Sequence, residues 1–360
     1  MRILIVAGSY PPEECGIGDY TENLASSLAQ LEDVQVGILT SYVESRKSKG
    51  PVELVEVVKH WFFSELPRLV FLIRCWRPDI LHIQYPSQGF LGVRMPSVLP
   101  LVCRLIGIKV VETWHEIHLS KGVFHFLFQA LGTNGLVFVR PNYLAKLPRF
   151  FRWFIRKTPQ ITISNTSALP MSRLNEDQRL KERAKYIGSR KRLIVFFGFL
   201  YPNKGVESIF EIANSDSDYL VIAGTTKDQE YLNFLNMASR KNGWTEDSLN
   251  FSGFLSRQGA ADLLAAADAV ILPYVEGGGD WNTAIHSART QGTFVITTDI
   301  KPRGYESNLN MYTASPLDIN SMRIALDQFA GYRNQSHSPT VYWHQIALSH
   351  LNFYRQITGK

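Results

Sequence analysis

Short apolar runs alternate with amphipathic stretches along the whole chain, and this alternation constrains the fold more than any other feature. Runs such as ILIVAG at 3–8 and RLIVFFG at 192–198 are each followed by residues with apolar side chains at helical spacing. Uninterrupted apolar strands separated by helices are typical of parallel sheets that are covered on both faces. The pattern therefore predicts an α/β protein built from doubly wound parallel sheets.

The chain of 360 residues is longer than one hydrophobic core usually supports, which favours two domains. The alternation stops once, in the charged segment SRLNEDQRLKERAKYIGSRK, and then restarts. We therefore expect a first domain at 1–170, a linker at 171–191 and a second domain at 192–340.

Charge and cysteine content limit the class of protein. The net charge of +6 and a pI of about 9.1 suit an anionic partner, either a nucleotide, a membrane surface or nucleic acid, but also suit an ordinary solvated surface. Three widely spaced cysteines fit neither a disulfide framework nor a zinc pattern. The first apolar run is too short for a secretory signal, and no run is long enough to span a membrane. These features predict a cytoplasmic protein, free or peripheral to a membrane.

Ligands of doubly wound sheets bind at the carboxyl ends of the strands. This rule selects the loops that follow Gly8, Ile83, Val111, Phe197 and Tyr274. In the first of them Gly16 and Gly18 form a G-x-G without a third glycine, which is a poor dinucleotide fingerprint. The loop either faces a phosphate or an acceptor hydroxyl, or is a plain turn with Asp19 as the helix N-cap.

A second loop holds His115, Glu116 and His118 after the run VVETW. Zinc proteases carry their histidines four residues apart on a helix, so this spacing disfavours a metal. Hydrogen bonding or proton handling by the His115–Glu116 pair is the preferred interpretation, and a buried structural histidine is the alternative.

Two further loops have a composition that suits an anion. Lys204 stands beside Gly205 just before a predicted helix, where charge and backbone amides favour a phosphate, although a surface lysine is the alternative. The loop LPYVEGGG places Glu276 before three glycines, Gly277–Gly279, which allow a ligand to approach the backbone closely. Asn282 or Thr283 is the expected cap of the helix that follows.

The segment 147–157, LPRFFRWFIRK, interleaves basic and aromatic residues. This composition suits an anionic membrane interface. It suits equally a helix that covers the domain junction with its aromatic side chains inward and its cations outward. Nucleic acid is disfavoured because no recognisable binding motif accompanies the charge.

Taken in order, these motifs resemble the retaining glycosyltransferases of family 4 over almost the whole chain. The resemblance rests on the segments GIGDYTENLASSLAQL, PDILHIQYP, VVETWHEIH, FFGFLYPNKG, LNFSGFLS, LLAAADAVILPYVEGGG and ARTQGTFVITTD. It implies the GT-B fold, in which two Rossmann-like domains face each other across a cleft. It also implies that residues 341–360 form a helix that returns to the first domain.

The resemblance implies an activity as well. The expected reaction is retaining transfer of a sugar from a nucleotide-activated donor, such as a UDP- or GDP-sugar, without a metal or another cofactor. The acceptor would be a glycan, a lipid-linked glycan or a small molecule, as in polysaccharide biosynthesis.

Roles for individual residues follow from the same resemblance. His115, with Glu116 beside it, would hydrogen-bond the transferred sugar, and Lys204 would neutralise the departing diphosphate. Glu276 would contact the sugar. Backbone groups at Gly16, Gly18, Gly277, Gly278 and Gly279 would approach the donor phosphates, the sugar or the acceptor, and Gln84 and Tyr85 would lie on the acceptor side.

Two positions depart from the family pattern. The family often carries two glutamates eight positions apart, where this chain has Gly279 and Ser287. The arginine that often accompanies the lysine is also missing, and Phe199 and Tyr201 stand in its neighbourhood. Two alternatives therefore stay open: a glycosyltransferase-like binding or scaffold protein without catalysis, and a GT-B sugar-nucleotide epimerase.

Overall fold

The computed structural model of the chain describes residues 1–44, 46, 50–90, 93–115, 123–141, 143–335 and 339–360. It divides into two compact units. The first unit comprises Met1–Ser164 with Thr340–Lys360, and the second comprises Asn165–Pro339. Each unit contains one seven-stranded sheet covered by helices, which confirms the α/β class and the two Rossmann-like domains.

The sheet of the first unit is parallel throughout and has the order β3-β2-β1-β4-β5-β6-β7. The strands are β1 (Arg2–Ala7), β2 (Gln35–Ser41), β3 (Glu53–Val58), β4 (Ile80–Tyr85), β5 (Val110–Trp114), β6 (Gly135–Phe138) and β7 (Gln160–Thr162). The order reverses between β1 and β4, the position at which doubly wound sheets bind ligands beyond the strand ends.

Helices cover both faces of this sheet. They are α1 (Gly16–Leu28), α2 (Leu66–Trp76), α3 (Met95–Leu105), α4 (Val123–Gly132), α5 (Tyr143–Lys146), α6 (Arg149–Ile155) and the carboxy-terminal α13 (Pro339–Thr358). The side chains of β1 alternate between two cores: Ile3 and Ile5 pack with α1 and α13 residues, whereas Leu4 and Val6 pack with α2 and α3 residues. A strand with both faces buried is mostly apolar, because a polar side chain there needs a buried hydrogen-bond partner, and this explains the uninterrupted run.

The second unit repeats the design with the order β10-β9-β8-β11-β12-β14-β13, antiparallel only between β13 and β14. Its strands are β8 (Arg192–Phe197), β9 (Asp218–Ala223), β10 (Leu249–Phe251), β11 (Ala269–Leu272), β12 (Val295–Thr298), β13 (Gly304–Glu306) and β14 (Met311–Ala314). Its helices are α7 (Glu176–Ile187), α8 (Ile209–Ile212), α9 (Gln229–Lys241), α10 (Arg257–Ala266), α11 (Thr283–Thr290) and α12 (Ile319–Phe329). Here the order reverses between β8 and β11.

The segment expected to be a linker, 171–191, differs from that expectation. Most of it is helix α7, which belongs to the second unit, and the chain changes unit after Ser164 instead. A reciprocal capping box between Asn175 and Gln178 starts the helix, and an ion pair of 2.8 Å joins Arg183 to Asp268. The high charge of the segment therefore reflects a helix that lies on the surface and buries no residue completely.

Within the described ranges, no helix is both long enough and apolar enough to cross a lipid bilayer.

Candidate functional site

In the first unit the residues of interest lie at the carboxyl ends of β4 and β5. His115 directly follows β5, and its backbone N–H donates to the carbonyl oxygen of Tyr85 at 2.8 Å. The hydroxyl of Tyr143 donates to the carbonyl oxygen of His115 at 3.2 Å. Hydrogen bonds on both sides of its backbone thus fix the position of His115.

The imidazole of His115 is oriented by two side chains. Its Nε2 lies 2.7 Å from Oε1 of Gln84, and its ring contacts the ring of Tyr20 edge-to-face at 4.8 Å. An amide oxygen can only accept a hydrogen bond, so in this arrangement Nε2 of His115 carries a hydrogen. Tyr20 in turn contacts Trp343 of α13 at 5.3 Å between ring centroids.

A buried polar chain continues behind Gln84. The amide nitrogen of Gln84 lies 3.2 Å from Nε2 of His82, and Nδ1 of His82 lies 2.6 Å from the hydroxyl of Tyr354 in α13. Thr113 Oγ1 lies 2.8 Å from Nε2 of His82. Burial, with the nearby His350 and His115, holds the pKa of His82 well below its usual range, so its ring is neutral.

The sequence analysis did not predict this buried series of hydrogen bonds. The run DILHIQYP places two polar residues, His82 and Gln84, at alternate positions of an apolar strand, which was the available signal. The partner Tyr354 is 272 residues away from His82, and nothing in the sequence joins the two.

The other predicted residues of this unit have different environments. Gln84 has no exposed surface, so it reaches His115 rather than solvent, and Tyr85 is half-buried against Phe126. Glu116 and His118 lie outside the described residues.

The first glycine loop leads into α1. The helix begins at Gly16 with Cys15 as its N-cap, and Cys15 makes no side-chain capping bond. Asp19 lies within the first turn, so the alternative in which it is the N-cap of the helix is wrong. A Cβ on Gly18 would stand 3.1 Å from the carbonyl oxygen of Ser9, so the start of α1 packs closely on the loop after β1.

In the second unit, the loops after β8 and β11 contact each other across the reversal of strand order. Lys204 ends a short 3-10 turn, and Gly205 follows with φ of +64°. A Cβ on Gly205 would stand 2.3 Å from the carbonyl oxygen of Pro273, and the N–H of Val275 donates to the carbonyl of Asn203 at 3.2 Å. The two loops therefore fix each other's backbone.

Lys204 also contacts the second loop through its side chain. Its Nζ lies 4.9 Å from the ring centroid of Tyr274, within the range of a cation–π interaction. Burial raises the pKa of Tyr274, which keeps that ring neutral. Glu276, two residues later, is exposed.

The three glycines of the second loop are required by the packing of this unit. The amides of Gly277, Gly278 and Gly279 donate to Tyr274 O at 3.2 Å, to Thr298 O at 2.6 Å and to Asn282 Oδ1 at 2.9 Å. A Cβ on Gly278 would stand 2.7 Å from the Tyr274 ring. The glycine amides are thus used inside the protein, although the resemblance implied that they hold the donor.

Helix α11 follows this loop and begins at Thr283. The side chain of its N-cap residue, Asn282, accepts from Gly279 and does not cap the helix. The hydrogen bonds among the described residues include none from the backbone amides of Thr283 or Ala284. These two amides and the positive end of the helix dipole are suited to bind an anion beyond the carboxyl end of β11.

The two departures from the family pattern have clear structural settings. Ser287 is fully buried in α11, with its hydroxyl 3.3 Å from that of Ser167. Phe199 lies 6.4 Å from both Tyr201 and Phe254, measured between ring centroids. An aromatic cluster therefore occupies the neighbourhood in which the family often carries an arginine.

The part of the chain that the structure describes contains no group of three or more His, Cys, Asp or Glu side chains arranged to hold a metal ion. Metal independence itself stays a prediction.

Comparison with known proteins gives one family and one fold. Residues 191–329 match the family model of the glycosyl transferases group 1. No curated protein matches the chain in sequence.

Three solved structures illustrate the similarity in fold. A sucrose-phosphate synthase from Thermosynechococcus elongatus is 15% identical with a TM-score of 0.75, covering 100% of this chain and 99% of its own. The catalytic domain of starch synthase IV from Arabidopsis thaliana, bound to ADP and acarbose, is 13% identical with a TM-score of 0.70 and 100% coverage of both chains. HepE from Anabaena, in complex with UDP-glucose, is 14% identical with a TM-score of 0.65, covering 100% of this chain and 98% of its own. Residues 191–329 therefore match the group 1 glycosyl transferase family model, and the chain as a whole has the GT-B fold.

Proposed function

We propose that the chain transfers a sugar from a nucleoside-diphosphate sugar to an acceptor, with retention of configuration and without a metal. One observation carries this proposal: the cation of Lys204 lies in the segment after β8, and the amides of Thr283 and Ala284 start the helix that follows the neighbouring strand β11. Sugar transfer leaves a nucleoside diphosphate whose developing negative charge must be stabilised. A lysine and a helix start supply that stabilisation without a bound ion.

His115 is the side chain that we assign to the transferred sugar. Its backbone and its ring are both held by neighbours, as a group that must meet a substrate hydroxyl in one orientation requires. Glu116 would act beside it, and Glu276 would also contact the sugar. Gly16 and Gly18 would lie close to the donor phosphates or the acceptor. Retention needs no dedicated base where the leaving phosphate accepts the proton of the acceptor.

The donor class is supported by two of the similar structures. HepE was solved with UDP-glucose and starch synthase IV with ADP, so this fold accepts nucleotides with different bases. We propose a UDP- or GDP-sugar as the donor. The acceptor we propose is a glycan or lipid-linked glycan, in the cytoplasm and at the inner face of a membrane.

The proposal is tested by calorimetry and thermal shift with UDP, GDP, ADP and their sugar conjugates, all in the presence of a chelator. We expect one nucleotide to raise the melting temperature, because a ligand that binds only the folded state stabilises it. Lys204→Ala should weaken that binding about tenfold or more, as the loss of a charge-assisted contact does. Lys191→Ala is the matched control, since it removes the same charge just before the other end of β8.

Each outcome decides a different point. Binding that survives the chelator supports metal independence, and binding that needs added Mg²⁺ refutes it. If none of the nucleotides binds, or if Lys191→Ala weakens binding as much as Lys204→Ala, the proposed donor site is wrong.

A second candidate is a sugar-nucleotide binding protein without catalysis. It is favoured by the buried Ser287 and by the aromatic Phe199 at the positions where the family carries a glutamate and an arginine. Incubation of the bound sugar nucleotide, with and without candidate acceptors, separates the functions. Transfer or slow hydrolysis indicates the transferase, an epimerised sugar without acceptor indicates an epimerase, and an unchanged donor indicates the binding protein.

A further inference from the structure

Helix α6 carries apolar residues on its exposed surface as well as on its buried face. Phe151 and Ile155 are fully buried in a cluster with Trp114 and Phe126, which attaches the helix to the first unit. On the other side, Phe150, Trp153 and Phe154 are 52%, 57% and 42% exposed. Their spacing of three and four residues places them on one face of the helix. A surface helix of a globular protein normally has a polar outer face, so the apolar outer face of α6 needs an explanation.

The exposed apolar surface extends to the neighbouring helices. Helix α4 packs against both α6 and α3, and its Phe128 and Leu131 are exposed. At the end of α3, Leu105 is 77% exposed. The guanidinium of Arg104 donates to the carbonyl oxygen of Leu131 at 3.0 Å and so joins the ends of α3 and α4. Exposed apolar groups of this size on adjacent elements are typical of an interaction surface.

Exposed cations accompany the aromatic residues of α6. Arg149, Arg152, Arg156 and Lys157 are all exposed, and the ion pairs of the described residues include none of the four. The sequence contains no aspartate or glutamate between Glu116 and Glu176. The guanidinium of Arg156 lies 5.1 Å from the ring centroid of Trp153, so an exposed cation and an exposed indole lie next to each other.

We propose that this surface, formed by α6 with the exposed ends of α3 and α4, docks onto a bilayer that contains anionic phospholipids. The aromatic rings would enter the interface between head groups and acyl chains, where Trp and Phe are favoured. The arginines and the lysine would bind the lipid phosphates. A second copy of the chain is the rival occupant, but a two-fold contact would bring the four cations of each copy together. Charge therefore favours a lipid partner, and this inference does not depend on the proposed sugar transfer.

The test is sedimentation of the full chain with vesicles of phosphatidylcholine, with and without phosphatidylglycerol. We expect binding only to the vesicles that contain phosphatidylglycerol, and weaker binding as salt is added. The double variant Trp153→Ser with Phe154→Ser should lose about tenfold or more in affinity. The control Phe62→Ser with Phe63→Ser removes two exposed aromatic side chains of the same unit that lie outside this surface and should leave binding unchanged.

The charges are tested in the same way. Arg149→Gln with Arg152→Gln should lower the affinity about tenfold or more, because each cation near an anionic surface contributes separately. Arg68→Gln with Arg74→Gln is the control on α2. Melting curves of all variants exclude unfolding as the cause. Absence of binding, equal binding to both vesicle types, or equal losses in control and test variants would overturn the proposal. So would a dimer in vesicle-free solution that the Trp153 variant dissociates.

Discussion

The side-chain amide of Gln84 bridges two imidazoles: its oxygen lies 2.7 Å from Nε2 of His115 and its nitrogen 3.2 Å from Nε2 of His82. Because the oxygen can only accept, the bridge places a hydrogen on Nε2 of His115. His82 is in turn held by the hydroxyl of Tyr354 at 2.6 Å. A buried chain from the carboxy-terminal helix thus sets the ring orientation and the tautomer of the histidine that we assign to the sugar.

We predict that Gln84→Leu releases His115 from this single tautomer. The nitrogen chemical shifts of His115 should move toward those of an exchanging imidazole, and the rate of sugar transfer should fall about tenfold, the effect of one lost hydrogen bond. The affinity for the donor nucleotide should hardly change. Tyr354→Phe, which keeps the ring and removes only the distant hydroxyl, should have a smaller effect. Unchanged His115 shifts in Gln84→Leu would contradict the positioning role whether or not the chain transfers sugar.

Glu112 provides a prediction on pH. It is fully buried in β5, its Oε2 accepts from Nε1 of Trp114 at 2.7 Å, and its Oε1 has no partner among the described residues. Burial raises the pKa of Glu112 from 4.5 to about 8. Between these values the unfolded chain is ionised and the folded chain is not, so the stability that Glu112 contributes falls as pH rises.

We therefore predict that Glu112→Gln gains stability relative to the parent as pH rises. The difference in free energy of unfolding should grow by about 3 kcal/mol between about pH 5.5 and about pH 7.5. Denaturant unfolding at both pH values measures it. A difference that is the same at both pH values would mean that the Glu112 carboxyl does not titrate in this window.

The sequence predicts features that depend on local patterns, and it does not predict those that depend on contacts between residues far apart in the chain. The apolar runs were sufficient for strands such as β1 (Arg2–Ala7), because a strand buried on both faces is mostly apolar. The charged segment of α7 was taken for a linker because local composition does not reveal the ion pair between Arg183 and Asp268. The glycine loop was assigned to a ligand, whereas Gly278 also avoids a clash with Tyr274 and Thr297, a contact that exists only after folding.

His350 provides a second prediction on pH. Its ring is fully buried in α13, its Nδ1 lies 2.8 Å from the carbonyl oxygen of Ile346, and burial lowers its pKa to about 4. Between pH 6.5, the usual histidine value, and about pH 4, the unfolded chain binds a proton that the folded chain does not, so stability falls as pH falls.

We predict that His350→Leu loses less stability than the parent on acidification. Over this range the difference should approach about 3 kcal/mol. His344→Leu, the same change at an exposed position of the same helix, is the matched control. Parallel curves for the parent and His350→Leu in urea titrations between about pH 4 and about pH 7 would refute the assignment of this acid sensitivity to His350.

Gly205 allows the loop that carries Lys204 to pack closely against the loop after β11. A Cβ there would stand 2.3 Å from the carbonyl oxygen of Pro273 at a φ of +64°, so Gly205→Ala must displace either the Lys204 turn or the loop after β11. Gly188→Ala is the matched control, since Gly188 has φ of +52° and no atom within 4 Å of the added Cβ. Gly205→Ala should cost about 1 kcal/mol for the left-handed backbone and about 1–3 kcal/mol more for the clash, whereas Gly188→Ala is strained only by its own backbone, which has ψ of −119°. Only Gly205→Ala should also weaken binding of the nucleotide found with the parent, because it moves Lys204. Calorimetry on the two folded variants makes the comparison, and equal nucleotide affinities would show that the contact between the two loops does not position the phosphate site.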